Sequence, residues 1–295
     1  MKLFIIKLFL FLLPLILISY AVDIFISKEL KKNHIHTGGE FSVWNDVYGG
    51  TVNSDIVIYG GSRAWVQIDP NMISDSLQTT AYNLGLDGYT FQLQYLRHLA
   101  LLDHNKKPKI IIHSVDAFIL QKNPNLWNAD QFLPYMLFNE RMKNAIRGFN
   151  GEYKIIDYQL PLIRYYGKKE AIVHAAKRFA NPSGDTVVRV KGYRGRDLLW
   201  DDTEFDKLRK RVKFLETYLD TPTVILFEKY LNECKSQNIQ VIFVYVPEYI
   251  EGQRFLKNRE IAIELFTRLS KKYDIPFYDF SDDTIALQKE YYYNA

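Results

Sequence analysis

Cysteine is almost absent from the chain, which has one such residue, Cys234, among 295 residues. A single cysteine cannot form an internal disulfide bond. Cys234 lies in an apolar-periodic helical stretch, so we expect a buried structural thiol there. No cysteines and histidines have the spacing of a metal site, and the pair His34 and His36 has no third ligand nearby. The sequence therefore predicts no bound metal and no cofactor.

A strong excess of charge of one sign is also missing. The 38 Lys and Arg residues and the 34 Asp and Glu residues give a net charge of only +4. The basic residues are dispersed along the chain, whereas nucleic-acid-binding proteins concentrate them on one surface. The sequence therefore predicts no nucleic-acid partner.

One long apolar run is present, and it occupies the N-terminus from Leu3 to Ile26, with interruptions at Lys7, Pro14 and Asp23. The run is long enough to cross a bilayer as a helix. Residues 1–26 are therefore predicted to form a transmembrane anchor. This interpretation makes the protein a single-pass membrane protein with its main domain on the extracytoplasmic side.

Two alternatives remain open for this N-terminal run. The small residues Ser19 and Ala21 follow an apolar centre at the spacing of a cleavage site, so a removable signal peptide, and hence a secreted protein, is the second interpretation. A buried helix of a soluble protein is the third. Residues 27–50 are polar and contain four glycines, and we expect them to form a stalk that leads to the domain.

The rest of the chain alternates between short apolar segments and amphipathic helical stretches. The segments are predicted to be strands at about residues 55–59, 81–84, 109–114, 240–246 and 276–280. Strand, helix and strand in this order indicate right-handed crossovers and parallel pairing. The sequence therefore predicts an α/β fold over residues 51–295, with a doubly wound, three-layer, mostly parallel sheet. Residues 119–220 interrupt the pattern and are predicted to form a largely helical insertion over the active edge.

Ser62 stands directly after the first predicted strand, behind the glycine pair Gly60 and Gly61. Three roles fit this position. The serine could cap the following helix, help to bind phosphate, or act as a nucleophile on a tight turn. The phosphate role is the weakest, because the segment lacks the pattern of a P-loop and of a dinucleotide site.

The sequence Gly60-Gly61-Ser62-Arg63-Ala64 after a strand resembles the first block of the SGNH (GDSL-like) hydrolases. It is most similar to the membrane-anchored branch that includes proteins of teichoic-acid D-alanyl transfer and exopolysaccharide O-acetylation. The resemblance covers about residues 51–120 and 220–295. It implies a flavodoxin-like SGNH fold in which Ser62 is the nucleophile.

The resemblance also implies roles for four neighbouring positions. The backbone N–H of Gly85 matches a donor of the oxyanion hole in this family, and Asn83 lies close to it in the sequence. Arg63 and Asp116 belong to the active-site edge. Asp116 lies where many members have an asparagine, and an ionised aspartate cannot donate a hydrogen bond, so we expect it to orient Arg63 or the turn. His113, near the same edge, is either a substitute base or a core-facing strand histidine.

In SGNH hydrolases one Asp-x-x-His block after the last strand supplies the acid and the base of the triad. Here Asn294 matches the acid position, and the matching histidine would fall two residues beyond Ala295. Two hypotheses follow, namely a C-terminally truncated form of an active enzyme and a catalytically inactive relative. An asparagine would orient the histidine without stabilising its charge.

The resemblance therefore predicts an extracytoplasmic serine esterase or O-acyltransferase that needs no cofactor. Its substrate would be an acylated glycan, either secreted or on the cell surface, and its partners would belong to cell-envelope biosynthesis. The alternative is an inactive SGNH-fold protein that serves in envelope assembly or in glycan binding.

Overall fold

A computed structural model describes residues 2–33, 39–88, 90–150, 153–181, 189–195 and 198–293. The chain divides into two compact units. Unit 1 combines Met1–Asp46 with Pro124–Arg189, and unit 2 combines Val47–Asn123 with Val190–Ala295. Asn294 lies outside the described residues, as do His34 and His36.

The described elements are helices, short strands and 3-10 turns in alternation. The α-helices are α1 (Lys2–Leu30), α2 (Gly39–Tyr48), α3 (Ser62–Gln67), α4 (Pro70–Leu77), α5 (Phe91–His104), α6 (Glu140–Ile146), α7 (Ile155–Gln159), α8 (Lys169–Ala180), α9 (Thr203–Arg211), α10 (Thr221–Ser236), α11 (Ile250–Arg254) and α12 (Arg259–Tyr273). The strands are β1 (Ile56–Tyr59), β2 (Ala81–Asn83), β3 (Ile110–Ser114), β4 (Leu215–Glu216), β5 (Gln240–Tyr245), β6 (Leu256–Lys257) and β7 (Phe277–Asp279). The 3-10 turns are Ala129–Tyr135, Ile163–Tyr165, Thr284–Leu287 and Lys289–Tyr291.

Unit 2 is built around a parallel sheet of five strands in the order β2-β1-β3-β5-β7. All four strand pairings are parallel. The predicted strands are confirmed, with ends that agree within one residue. The four residues of β1 are all buried, as expected for a strand that is covered on both faces. Separately, β4 and β6 form a short parallel pair.

Helices cover both faces of this sheet. Tyr59, His113 and Phe243 are aligned neighbours on β1, β3 and β5, so their rings point to the same face. Phe91 of α5 and Phe227 of α10 pack against His113 there, and α12 packs against Phe243. The amide of Asn83 reaches α3 from the opposite face, as described below. The prediction of an α/β fold with a mostly parallel sheet is therefore confirmed.

Two helices of unit 2 begin at an aspartate that is followed closely by proline. The Asp69 carboxylate accepts a hydrogen bond from the Asn71 N–H at the start of α4, at 2.8 Å. At the start of α10 the Asp220 carboxylate accepts from the Thr223 N–H at 3.0 Å. Both helices carry proline in the first turn, where its missing N–H costs nothing. Local sequence therefore determines where these two helices start.

Unit 1 contains the apolar N-terminal helix. α1 is long and apolar enough to cross a membrane, and the large apolar side chains of its first two thirds are exposed. Several residues in its last turns are buried, among them Glu29 and Leu30. The guanidinium of Arg178 donates to the backbone carbonyls of these two residues, at 2.9 and 2.7 Å. Trp44 of α2 is also fully buried and donates to Gln131 at 2.7 Å. The described residues Ser27–Asn33 and Gly39–Asp46 therefore belong to unit 1.

The predicted insertion at residues 119–220 divides between the two units. Residues 124–189 join the N-terminal segment in unit 1, whereas residues 190–220 belong to unit 2. Within unit 2, the Lys191 carbonyl accepts a hydrogen bond from the Asn83 N–H, which ties this part of the stretch to the edge strand β2. The boundaries of the inserted lobe therefore lie at residues 124 and 189.

Two histidines lie in the core of unit 2. His98 is 3.1 Å from the Tyr59 hydroxyl, and His113 is 3.3 Å from the Tyr230 hydroxyl. Burial lowers the pKa of His98 to about 4 and that of His113 to about 3. His113 is therefore a core-facing strand histidine and not a substitute base for Ser62. Cys234 is a buried free thiol whose pKa is raised by burial to about 12, which confirms the expectation for it.

These histidines predict sensitivity to acid. Their folded-state pKa values lie below the ordinary value of 6.5, so both are neutral in each state at neutral pH and the unfolded chain takes up protons first as the pH falls. The free energy of unfolding should then fall below pH 6.5 by about 1.4 kcal/mol per pH unit for each histidine. The variant His98→Phe/His113→Phe should show a much smaller loss in urea unfolding of the detergent-solubilised chain at pH 7 and pH 5.

His104→Gln is the matched control, since His104 is exposed at the end of α5. It should keep the pH dependence of the unchanged protein. An equal loss of stability between pH 7 and pH 5 in the double variant and in the unchanged protein would contradict the assignment.

Candidate active site

The carboxyl ends of β1, β3 and β5 meet at one edge of the sheet in unit 2. The chain runs from β1 to its neighbour β2 and then crosses back over β1 to β3. This reversal leaves a crevice between the ends of β1 and β3, which is where open α/β sheets bind ligands. Ser62 follows β1, Asp116 follows β3 and Glu248 follows β5. The topology therefore brings these three residues to one edge.

Gly60 makes the sharp exit from β1 possible. Its φ is +144°, and a Cβ atom at this position would lie 2.7 Å from the carbonyl oxygen of Ser114. Any other residue would collide with β3 there. Gly61 caps α3, and Ser62 is the first residue of the helix, with an exposed side chain. Ser62 is therefore not the N-cap residue. Of the three roles that its position allows, helix capping is excluded.

Arg63 lies between two carboxylates beside Ser62. Its Nη1 atom is 2.9 Å from Glu248 Oε1 and 3.8 Å from Asp116 Oδ2, and its guanidinium lies over the ring of Phe118. Burial alone would lower the pKa of Arg63, but Glu248 and Asp116 outweigh this effect and the pKa is raised. The guanidinium is therefore held as a fixed positive charge at the edge of the cleft.

Glu248 is the site residue that sequence reasoning missed. Its side chain is almost completely buried. Burial raises the pKa of Glu248, the positive charge of Arg63 opposes the rise, and the negative charge of Asp116 adds to it. The available signal was its position one residue beyond the Pro247 that ends the β5 segment, at the same edge as Ser62.

Asp116 fixes the turn after β3. Its Oδ1 atom accepts hydrogen bonds from the N–H groups of Phe118 and Ile119, at 2.7 and 2.9 Å. Its Oδ2 atom is the one that faces Arg63. Asp116 thus contacts both the turn and Arg63. These are the two partners that the sequence predicted as alternatives.

Asn83 and Gly85 hold α3 in place. The Asn83 amide donates to the carbonyls of Ala64 and Ile68, at 2.8 Å each, and its oxygen accepts from the Gly85 N–H at 2.9 Å. A Cβ atom on Gly85 would lie 2.8 Å from the Trp65 N. The Gly85 N–H is therefore engaged by Asn83, which differs from the expectation that it donates to an oxyanion. The buried Asn83 side chain acts on the position of Ser62 through α3.

A cleft of about 690 Å³ opens at this edge, within unit 2. One part of its lining is polar and includes Ser62, Arg63, Asp116 and Glu248. Another part is rich in aromatic and aliphatic side chains, among them Phe118, Phe205, Leu208, Tyr249, Phe255 and Leu256. α9 and β4, at the end of the predicted insertion, contribute to this apolar part.

The described lining residues include no histidine. Tyr291, Tyr292 and Tyr293 line the cleft, so the segment that leads to Asn294 runs past the same cavity as Ser62. Among the described residues, no group of three His, Cys, Asp or Glu side chains is placed to hold a metal ion. Around Ser62 the described cleft offers the guanidinium of Arg63 and the carboxylates of Asp116 and Glu248, and Asp87 adds a third carboxylate to the lining.

The Arg63 arrangement predicts a pH-dependent defect when its charge is removed. In Arg63→Met, the buried Glu248 loses its closest positive charge, so the free energy of unfolding at pH 8 should fall by roughly 1–3 kcal/mol. The pKa of Glu248 is raised in the folded state, so the folded protein takes up a proton more readily than the unfolded chain and the loss should shrink at pH 5. Urea unfolding at the two pH values measures this difference.

The variant Arg63→Met/Glu248→Gln should recover most of the stability lost at pH 8, because no uncompensated carboxylate remains buried. Arg254→Met serves as the control, since Arg254 is an exposed residue at the end of α11. A loss of equal size at pH 8 and pH 5 would exclude Glu248 as the cause.

Comparison of the sequence with models of known protein families gives no match, and comparison with curated proteins gives none either.

Proposed function

We propose that unit 2 is an SGNH-type serine esterase or O-acyltransferase that acts on an acylated glycan. The observation that carries the proposal is the position of Ser62. Its side chain is exposed in a large cleft, on the first turn after the buried strand β1, at the point where the strand order reverses. This is the position at which α/β folds present reactive groups.

In the proposed reaction the Ser62 hydroxyl attacks the carbonyl carbon of an ester. Its proton passes to a base and from there to the alcohol that leaves as the ester C–O bond breaks. Water, or a hydroxyl of a second glycan, then attacks the acyl-serine and restores the free hydroxyl of Ser62. The first acceptor makes the protein an esterase, and the second makes it a transferase.

Charge in the transition state develops on the former carbonyl oxygen, which needs fixed donors. The N–H of Ser62 suits this role because the first N–H groups of a helix have no partner within the helix. The Gly85 N–H would contribute only if Asn83 released it or shared it. Arg63, fixed by Glu248 and Asp116, supplies positive charge at the same edge.

The described lining of the cleft contains no histidine that could take the Ser62 proton. In the family it belongs to the same block as the residue matched here by Asn294. The adjacent residues Tyr291 to Tyr293 line the cleft, which supports the placement of that block beside Ser62.

The alternative function is glycan binding or cell-envelope assembly without catalysis. The absence of a histidine from the described lining of the cleft favours it, as does the abundance of aromatic side chains there. Aromatic rings and carboxylates together can hold a sugar without reacting with it. In both proposals α1 anchors the protein in a membrane with unit 2 on the extracytoplasmic side, next to partners in envelope biosynthesis.

The test is covalent labelling of the full chain with a fluorophosphonate probe. An activated serine attacks the phosphorus atom and displaces fluoride, so the unchanged protein should be labelled and Ser62→Ala should not. Ser76→Ala is the matched control, because Ser76 is exposed in unit 2 on α4 and does not line the cleft.

Labelling that is equal in Ser62→Ala and in the unchanged protein would exclude Ser62 as the nucleophile. A chain that binds acetylated polysaccharide but is never labelled would instead support the non-catalytic alternative.

A further inference from the structure

Unit 1 exposes an apolar surface that its own core does not use. We call this surface the collar and define it by Ile155, Ile156, Leu160, Tyr166, Ile172 and Phe179. Tyr166 is 91% exposed, and Ile155 and Phe179 are each 64% exposed. The collar lies on and beside three elements, namely α7, the 3-10 turn Ile163–Tyr165 and α8, and the 3-10 turn contacts both helices. So much exposed apolar area on neighbouring elements marks a surface with a partner.

The collar elements also hold α1 directly. The guanidinium of Arg164 forms two hydrogen bonds of 2.7 Å with the carboxylate of Asp23, and the pair is almost completely buried. The Leu162 N–H donates to the same carboxylate at 2.8 Å. Phe179 packs edge to face on Phe25, with 5.1 Å between the ring centres. The collar is therefore fixed to α1 within the turn that contains Asp23.

The buried ion pair shows where lipid contact along α1 should end. An aspartate facing lipid is costly, and Arg164 neutralises Asp23 inside the protein. N-terminal to it, Lys2 to Val22 spans about 30 Å at ~1.5 Å per residue, which matches the hydrocarbon core of a bilayer. The large apolar side chains of that stretch are exposed, whereas Asp23 and Ile26 are buried. Ile24 and Phe25 are still exposed, and the collar residue Phe179 contacts α1 at Phe25.

We propose that the collar is seated in the surface of the lipid bilayer around the point where α1 leaves it. The collar side chains enter the boundary between headgroups and acyl chains, as the apolar faces of interfacial helices do. The exposed lysines Lys169 and Lys177 on α8 and Lys28 on α1 suit anionic headgroups. Within unit 1, α1 and the collar thus bind the membrane together, and α1 is not a flexible tether.

The test is the depth of fluorescent probes in the full chain, reconstituted in phosphatidylcholine vesicles that contain phosphatidylglycerol. The buried Cys234 is first replaced by alanine, and a single cysteine is introduced as Tyr166→Cys or Phe179→Cys and labelled with bimane. Lipids brominated on the upper acyl chain should quench both probes several-fold more than a probe at Met72→Cys. Met72 is the matched control, since it is 70% exposed and lies in unit 2.

Adding Ile172→Glu to the Phe179→Cys protein should reduce the quenching, because a charged side chain opposes insertion of the collar. Quenching at the two collar positions that is no greater than at Met72→Cys would overturn the proposal. Protection of the probes that rises with the protein-to-lipid ratio would also overturn it, because a second copy of the chain would then cover the collar.

Discussion

The close approach of β1 to β3 at Gly60 is the constraint on which the candidate site depends. A Cβ atom at that position would meet the Ser114 carbonyl at 2.7 Å, so the chain can turn out of the sheet only where the side chain is missing. The turn exposes Ser62 at the edge where β3 and β5 also end. The buried Asn83 amide then holds α3 by donating to the carbonyl of Ala64 within the helix and to that of Ile68 at its C-terminal end. Backbone geometry, not a charged contact, therefore places the hydroxyl.

Arg63, the residue after Ser62, brings a positive charge to the site. The guanidinium lies between the carboxylates of Glu248 and Asp116, so the cleft contains a cluster of charges of both signs and not an isolated cation. Such an arrangement costs desolvation energy. Glu248 bears much of that cost, because burial raises its pKa. The cluster is consistent with a site that binds a polar ligand beside Ser62, in the catalytic proposal and in the binding proposal alike.

Unit 1 is organised by a second buried pair, Asp23 with Arg164. The pair joins an apolar helix to a part of the chain 141 residues away. It explains why a charged residue interrupts an otherwise apolar run. If α1 crosses a membrane as proposed, unit 1 has a fixed position at its surface.

Local patterns alone determined the strand positions, the parallel α/β fold of unit 2, the exposed turn at Ser62 and the apolar character of α1. Each depends on residues that are close in sequence, through apolar periodicity, glycine at a turn, or the rule that parallel strands end at one edge. Only the tertiary structure decided that residues 124–189 join the N-terminal helix, that Glu248 faces Arg63 and that Asn83 engages the Gly85 N–H. The first two depend on contacts between distant parts of the chain. The third depends on which way one buried amide points, and a sequence pattern does not contain that direction.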